Sequence, residues 1–290
     1  MSPTIKAILF MVGAIASFST MAVAGRAVSF ELDTFEIMMY RSFVGIAIVL
    51  GITTLRGGFG DITRRHLHVH ALRNLFHFGG QNLWFFAVTA APLAQVFALE
   101  FTSPIWVLLL APLVLGERLT TAKLISAALG FIGILIVARP FGGDISLGIV
   151  TAALSAIGFA VSILLTKRLT RTETITCVLF YLTFMQAVFG VVCAGFDGDI
   201  ALPGLTSLPW IILIGCAGLL AHFCLTSALS LAPATLIVPV DFARLPVIAI
   251  IGMAFYGEDL DIYVFVGALI IFAGNYLNIW TQSRPRAQDR

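Results

Sequence analysis

Long apolar runs separated by short polar clusters dominate this chain. About 20 mainly apolar residues suffice for one helix to cross a bilayer. On that measure the pattern predicts ten spans: 6–25, 35–55, 71–90, 94–115, 121–139, 146–166, 175–195, 209–230, 234–256 and 262–281. Turn residues and charges mark the breaks. Gly57-Gly58 to His70 is the longest polar loop, Pro140 to Asp144 joins two halves, and Ala91-Pro92 and Ala232-Pro233 make very short turns.

The pattern repeats. Shifted by 141 positions without a gap, Leu93–Glu117 falls on Ala234–Glu258, so Glu100-Phe101 meets Asp241-Phe242 and Gly116-Glu117 meets Gly257-Glu258. Phe18 meets Phe159, Tyr40 meets Tyr181, Ala87 meets Ala228, Pro92 meets Pro233 and Gly133 meets Gly274. The expected units are 1–141, 142–282 and a cytoplasmic tail 283–290. Five spans is an odd number, so the second copy is expected upside down relative to the first. Inverted repeats are a known design of secondary transporters, with substrate held near the midplane between them.

Composition agrees with a membrane protein. Charged residues make up 11% of the chain and hydrophobic ones 59%, against about 25% charged in soluble domains. A net charge of +2 points to no nucleic-acid partner. Cys177, Cys193, Cys216 and Cys224 lie in apolar runs without CxxC or metal-ligand spacing, and the expectation is neither disulfide nor metal ligand. Lys6, an apolar run and Ala22-Val23-Ala24 imitate a cleavable signal. The nine spans that follow, and the counterpart of this segment in the second half, argue for a retained helix.

Lys and Arg placement sets orientation. With the N-terminus inside, the inner segments hold Lys6, Arg56, Arg64, Arg65, Arg73, Arg118, Lys123, Lys167, Arg168, Arg171, Arg284, Arg286 and Arg290, while outer loops hold Arg26 and Arg139. Outer loops carry acids instead, among them Asp197, Asp199, Asp259 and Asp261. Both termini are therefore expected in the cytoplasm.

Charges inside spans are costly and mark sites by default. Glu100 and Asp241 each lie about 10 Å deep, from opposite faces. Arg41 sits at about the depth of Glu100, and Arg244 lies one turn after Asp241. The expected pairs are Arg41 with Glu100 and Arg244 with Asp241, either locking helices or gating a path. Arg73, His77, Gln81 and Trp84 share one face of span 3, and His222 is the repeat mate of Gln81. Trp84, Phe97, Phe101, Trp106 and Phe242 supply aromatic surface near this level, suited to a flat or apolar substrate. Pro104, Pro112, Pro239 and Pro246 are expected to kink spans 4 and 9. Gly148, Ala152, Ala156 and Ala160 form a helix-packing seam, and Asn82, Asn275 and Asn278 read as packing residues. The substrate-binding set is therefore His77, Gln81, Trp84, Phe97, Glu100, Phe101, His222, Asp241 and Arg244, with Arg41, Glu100, Asp241 and Arg244 as charge pairs. No phosphate loop, HExxH or Ser/His/Asp set calls for an enzyme, a metal or a cofactor, and an intramembrane aspartyl hydrolase lacks its Gly-Asp motif.

Ten spans in two five-span halves, with LGERLT and YGEDLD closing spans 4 and 9 and AAPLA and LAPA turns, resemble the EamA family of the drug/metabolite transporter superfamily. The likeness covers essentially the whole chain. It implies a bacterial inner-membrane carrier, monomeric or dimeric, with a central cavity lined by spans 3, 4, 8 and 9. Glu117 and Glu258 look like structural helix-end residues of that family. RNLFHFGGQNLWF, PLAQVFALEFTSPIW and VPVDFARLP resemble a subgroup that includes riboflavin uptake carriers. S-adenosylmethionine uptake carriers and amino-acid exporters are more distant. The expected partners are a small-molecule substrate and the lipid bilayer, and Asp241, if a conformational change parts it from Arg244, offers a site for a coupling proton. A channel or a structural membrane protein is the reading outside this class.

Overall fold

A computed structural model describes residues 1–28, 30–91, 93–138, 146–196, 198–257 and 262–283. Those residues form helices and turns with no strand among them. In chain order the helices are α1 (Pro3–Val28), α2 (Thr34–Arg56), α3 (Leu67–Ala90), α4 (Leu93–Glu100), α5 (Ser103–Leu115), α6 (Thr121–Ala138), α7 (Leu147–Leu169), α8 (Ile175–Ala194), α9 (Leu208–Leu231), α10 (Ala234–Ile237), α11 (Arg244–Tyr256) and α12 (Ile262–Ser283). Short 3₁₀ turns fill Gly58–Asp61 and Val238–Ala243. Seven helical segments among the described residues are long and apolar enough to cross a membrane. α3 has 24 residues, about 36 Å at 1.5 Å per residue, but its polar stripe keeps it out of that count. Leu55, Leu113 and Val192 turn outward, as expected for a surface solvated by acyl chains rather than water. The chain is a multi-pass membrane protein.

The 141-residue shift reappears in the backbone. It carries α3 onto α9 and α5 onto α11 end for end. The caps follow it as well. Asp33 caps α2 by accepting from the Glu36 amide, and its mate Thr174 caps α8 by accepting from the Cys177 amide. Gly57, Gly116, Gly198 and Gly257 all have positive φ and fall into two repeat pairs. Ala91 and Ala232 end α3 and α9 in the same extended conformation.

Spans 4 and 9 are broken outright, at equivalent places. α4 stops at Glu100, and a tight turn through Phe101 and Thr102 leads into α5. Pro104 has no N–H to give the Glu100 carbonyl, and its ring would clash there, so an α-helix cannot run through. Pro246 stands in the same relation to Phe242. The second break is longer, because Pro239 turns 238–243 into a 3₁₀ segment.

Each half leans on the other. α1 packs along α9, α3 along α7, α2 along α8 and α6 along α12. α3 meets α7 closely: a Cβ on Gly158 would lie 2.9 Å from the Phe76 carbonyl oxygen and 3.0 Å from Gly80 Cα. The predicted seam is buried on this face, with Ala152, Ala156 and Ala160 at 0% exposure and Gly148 against Ala90. At one end of the bundle, Arg73 near the start of α3 donates to Thr166 of α7. Lys167 of α7 donates to the Leu229 and Ala232 carbonyls at the end of α9, and Arg171 to Leu115 at the end of α5. Glu117 belongs to the same end. It accepts from Thr235 at 2.6 Å and from the Ala234 amide at 3.3 Å, which fits its structural reading. Glu258, Asp197, Asp259, Asp261, Arg139, Pro92, the Pro140–Asp144 junction and the tail from 284 lie outside the described residues.

Candidate functional site

The two helix breaks face one another in the interior, and their polar side chains meet. Arg244, the first residue of α11, is 4% exposed. Its Nη2 donates to Glu100 Oε1 at 2.5 Å and to Asp241 Oδ2 at 2.8 Å. Glu100 Oε2 accepts from Trp84 Nε1 at 2.6 Å. Phe18, Phe97 and Phe101 surround the guanidinium, with ring centroids 5.1–5.6 Å from its carbon. At such range an aromatic face attracts a cation. One arginine thus serves two carboxylates, and the cluster carries one negative charge when all three groups are ionised. Asp241 Oδ1 and Arg244 Nε are buried with no partner among the described residues.

The expected pairing of Arg41 with Glu100 is therefore corrected: Arg244 holds both acids. Equal depth gives no direction around the bundle, and α2 packs on α8 and α9, away from α4. Arg41 points to the sulfurs of Met21 and Met38, at 3.5 and 3.8 Å, and lies beside Gly218 of α9.

A cavity of about 60 Å³ opens beside the Arg244 cluster. Seven of the nine predicted binding residues line it: His77, Gln81, Trp84, Glu100, His222, Asp241 and Arg244. Phe97 and Phe101 stand behind the guanidinium instead, at 0% and 1% exposure. Trp106 is 37% exposed on the outside of the bundle. Phe242 is buried with its ring edge against Phe101. Asn82 donates to the Phe78 carbonyl, a packing role; the side chains of Asn275 and Asn278 lie outside the described residues.

The far end of the cavity is basic and imidazole-rich. Arg73 donates to Thr166 and Asn74. The His77 and His222 rings meet edge to face at 4.7 Å, flanked by Phe159 and Phe18. Neither ring nitrogen of His222 has a partner among the described residues, so both are free to meet a ligand. Phe18 and Phe159 were not among the predicted binding residues, though both line the cavity. Their signal was present as an identity between the halves, since 18 and 159 are 141 apart. Cys177 is buried against His70 and Glu173. The four cysteines are free thiols.

Comparison with known proteins agrees with this architecture. A family profile described as "EamA-like transporter family" matches twice, over 5–139 and 146–280. The chain is 33% identical over 238 residues to a riboflavin transporter of Brucella anthropi, covering 80% of this chain and 84% of that protein. It is 26% identical to an S-adenosylmethionine uptake transporter of Rickettsia bellii, covering 89% of this chain and 88% of that one. A solved crystal structure superimposes with a TM-score of 0.77 at 20% identity, over 95% of this chain and 96% of the other, a likeness of fold.

Proposed function

We propose that this chain, which belongs to the EamA-like transporter family, takes up a neutral aromatic metabolite of the riboflavin type across the bacterial inner membrane by alternating access. One observation carries the reading: two helices, one from each half, break at repeat-equivalent residues and present Glu100, Asp241 and Arg244 to one buried cavity. Broken helices at a repeat interface are a recurrent way of building a transporter site. The cavity walls combine Trp84, Phe18 and Phe159 with polar groups at both ends, a lining suited to a ring system with hydrogen-bonding edges. At about 60 Å³ it is smaller than the roughly 150 Å³ that holds benzene. Substrate therefore enters a different conformation of the bundle.

Ten spans in two inverted halves, 1–141 and 142–282, with both termini and the 283–290 tail cytoplasmic, complete the reading. Inversion is supported at the Lys167 end of the bundle, where α3 begins and its repeat mate α9 finishes. The Lys and Arg distribution supports the orientation. The second carboxylate on Arg244 supports proton coupling: one acid keeps the arginine while the other takes and releases a proton. The cysteine set, apart from Cys177, has a packing role, and no cofactor is required.

The competing substrate is S-adenosylmethionine, favoured by the unpartnered Asp241 Oδ1 as a seat for a cation. Purified protein in liposomes, offered labelled riboflavin with excess unlabelled S-adenosylmethionine and the reverse, tests the choice. Saturable riboflavin uptake that resists S-adenosylmethionine is expected. The reverse pattern selects the competitor. Non-saturating flux with unitary currents would indicate a channel.

A further inference from the structure

We propose that His70, Glu173 and Cys177 form a binding site for a divalent transition metal, zinc by the chemistry of its donors, at the start of α3 and α8 and one turn away from the cavity. The three side chains are 1%, 8% and 0% exposed. One ligand atom from each, a ring nitrogen, a carboxylate oxygen and the thiol sulfur, lies within 4.8 Å of the others. Zinc bonds of about 2.0–2.3 Å to such donors put ligand atoms roughly 3.3–3.8 Å apart. The cluster needs only small rotamer shifts to reach that spacing.

Two details set it apart from an ordinary buried polar contact. First, Glu173 Oε1 is buried with no hydrogen-bond partner among the described residues, and His70 Nε2 already faces Cys177 Sγ at 3.9 Å. Unpaired buried polar atoms are costly, and a coordinated cation removes such a cost. Second, the donors are arranged as metal sites usually are. Thr63 donates to Glu173 Oε2 at 2.6 Å, and a hydrogen bond of this kind orients a ligating carboxylate. Glu173 lies just before Thr174, the N-cap of α8, and Cys177 lies in its first turn, so one helix start presents both. A water fills the fourth position. Nitrogen, oxygen and sulfur donors together suit zinc better than magnesium or calcium, which take oxygen sets. His70 and Cys177 sit in the first turns of α3 and α8, and Glu173 just before α8, where the helix dipole favours the anionic thiolate and carboxylate. On binding, the Cys177 S–H proton leaves to solvent as the metal–sulfur bond forms. The ion would staple the first half, through Thr63 and His70, to the second, through Glu173 and Cys177.

Metal binding by the full chain in detergent tests this without any transport assay. After stripping with a chelator, Co²⁺ is titrated as a coloured stand-in for Zn²⁺. One equivalent should give a thiolate-to-cobalt charge-transfer band that Zn²⁺ displaces, and Zn²⁺ should raise the melting temperature. A variant with Cys193, Cys216 and Cys224 changed to Ser should keep the band. Cys177→Ser should lose the band, and His70→Gln should weaken binding by at least about tenfold. Melting temperatures of the metal-free proteins identify variants that fail to fold; if Cys177→Ser is one, His70→Gln decides. Absence of saturable binding overturns the site, and so does a band that survives Cys177→Ser or disappears in the triple-cysteine variant.

Discussion

Arg244 has two partners and Asp241 has one, and that asymmetry makes the three charges experimentally separable. Removing one partner of a buried ion pair typically costs about 3–5 kcal/mol, because the other charge is left without compensation. Arg244→Gln leaves Glu100 and Asp241 facing each other, so a loss of that order is expected as a lower detergent-solubilised melting temperature. Glu100→Gln should also destabilise, since Glu100 answers both Arg244 and Trp84. Asp241→Asn should be the mildest of the three: Arg244 keeps Glu100, and one oxygen of Asp241 already has no partner. Trp84→Phe keeps an aromatic ring but removes the donor to Glu100, a hydrogen bond to a charged group worth about 1.5–3 kcal/mol, and leaves a small cavity at a buried position that adds to the loss. Thermal unfolding of the four variants checks the order. Much at this scale was legible in sequence. Intramembrane charge singled out Glu100, Asp241 and Arg244, and helical periodicity singled out His77, Gln81 and Trp84. Arg41 was placed at the right depth but given the wrong partner, because depth along a helix says nothing of direction around the bundle.

At the scale of elements, the two broken helices set the geometry. Their prolines predicted kinks, and the structure turns them into full interruptions, with Glu100 at the end of α4 and Asp241 inside the 3₁₀ segment that follows α10. What the sequence could not convey was how completely a missing N–H would be used: only tertiary partners, here Arg244 and Trp84, make a stop preferable to a bend. Glycines at two kinds of position give contrasting expectations. Gly158 presses on the backbone of α3, which cannot move aside cheaply. Gly158→Val should therefore cost about 1–3 kcal/mol by overpacking. Gly116 and Gly257 have open space around them but positive φ, so Gly116→Ala and Gly257→Ala should each cost about 1–2 kcal/mol through backbone conformation alone. Melting temperatures check both, and near-equal losses at 116 and 257 would reflect the equivalence of the two helix ends.

For the whole molecule, the repeat explains most of what was foreseeable. A constant shift of 141 relates helices, caps, positive-φ glycines and the two breaks, and it needed no structure to be seen. Two facts escaped it. Phe18 and Phe159 entered the cavity wall although their identity had been noted only as a mark of duplication. His70 is far in sequence from Glu173 and Cys177 and meets them only when α3 packs near α8. Orientation is open to direct test: an Arg65→Cys variant in intact cells should resist an impermeant thiol reagent and react after permeabilisation, because the 56–70 loop is read as cytoplasmic. The central claim is that Asp241, one of the two carboxylates that Arg244 holds between the broken helices, works in transport rather than in holding the bundle together. The most direct measurement takes one preparation each of wild type and Asp241→Asn, and records melting temperature together with labelled riboflavin uptake into liposomes with and without an acid-outside gradient. The account predicts a near-normal melting temperature for Asp241→Asn, wild-type uptake accelerated by external acid, and variant uptake lost or insensitive to the gradient. A badly destabilised variant whose folded fraction still transports like wild type, with the same response to external acid, would contradict it.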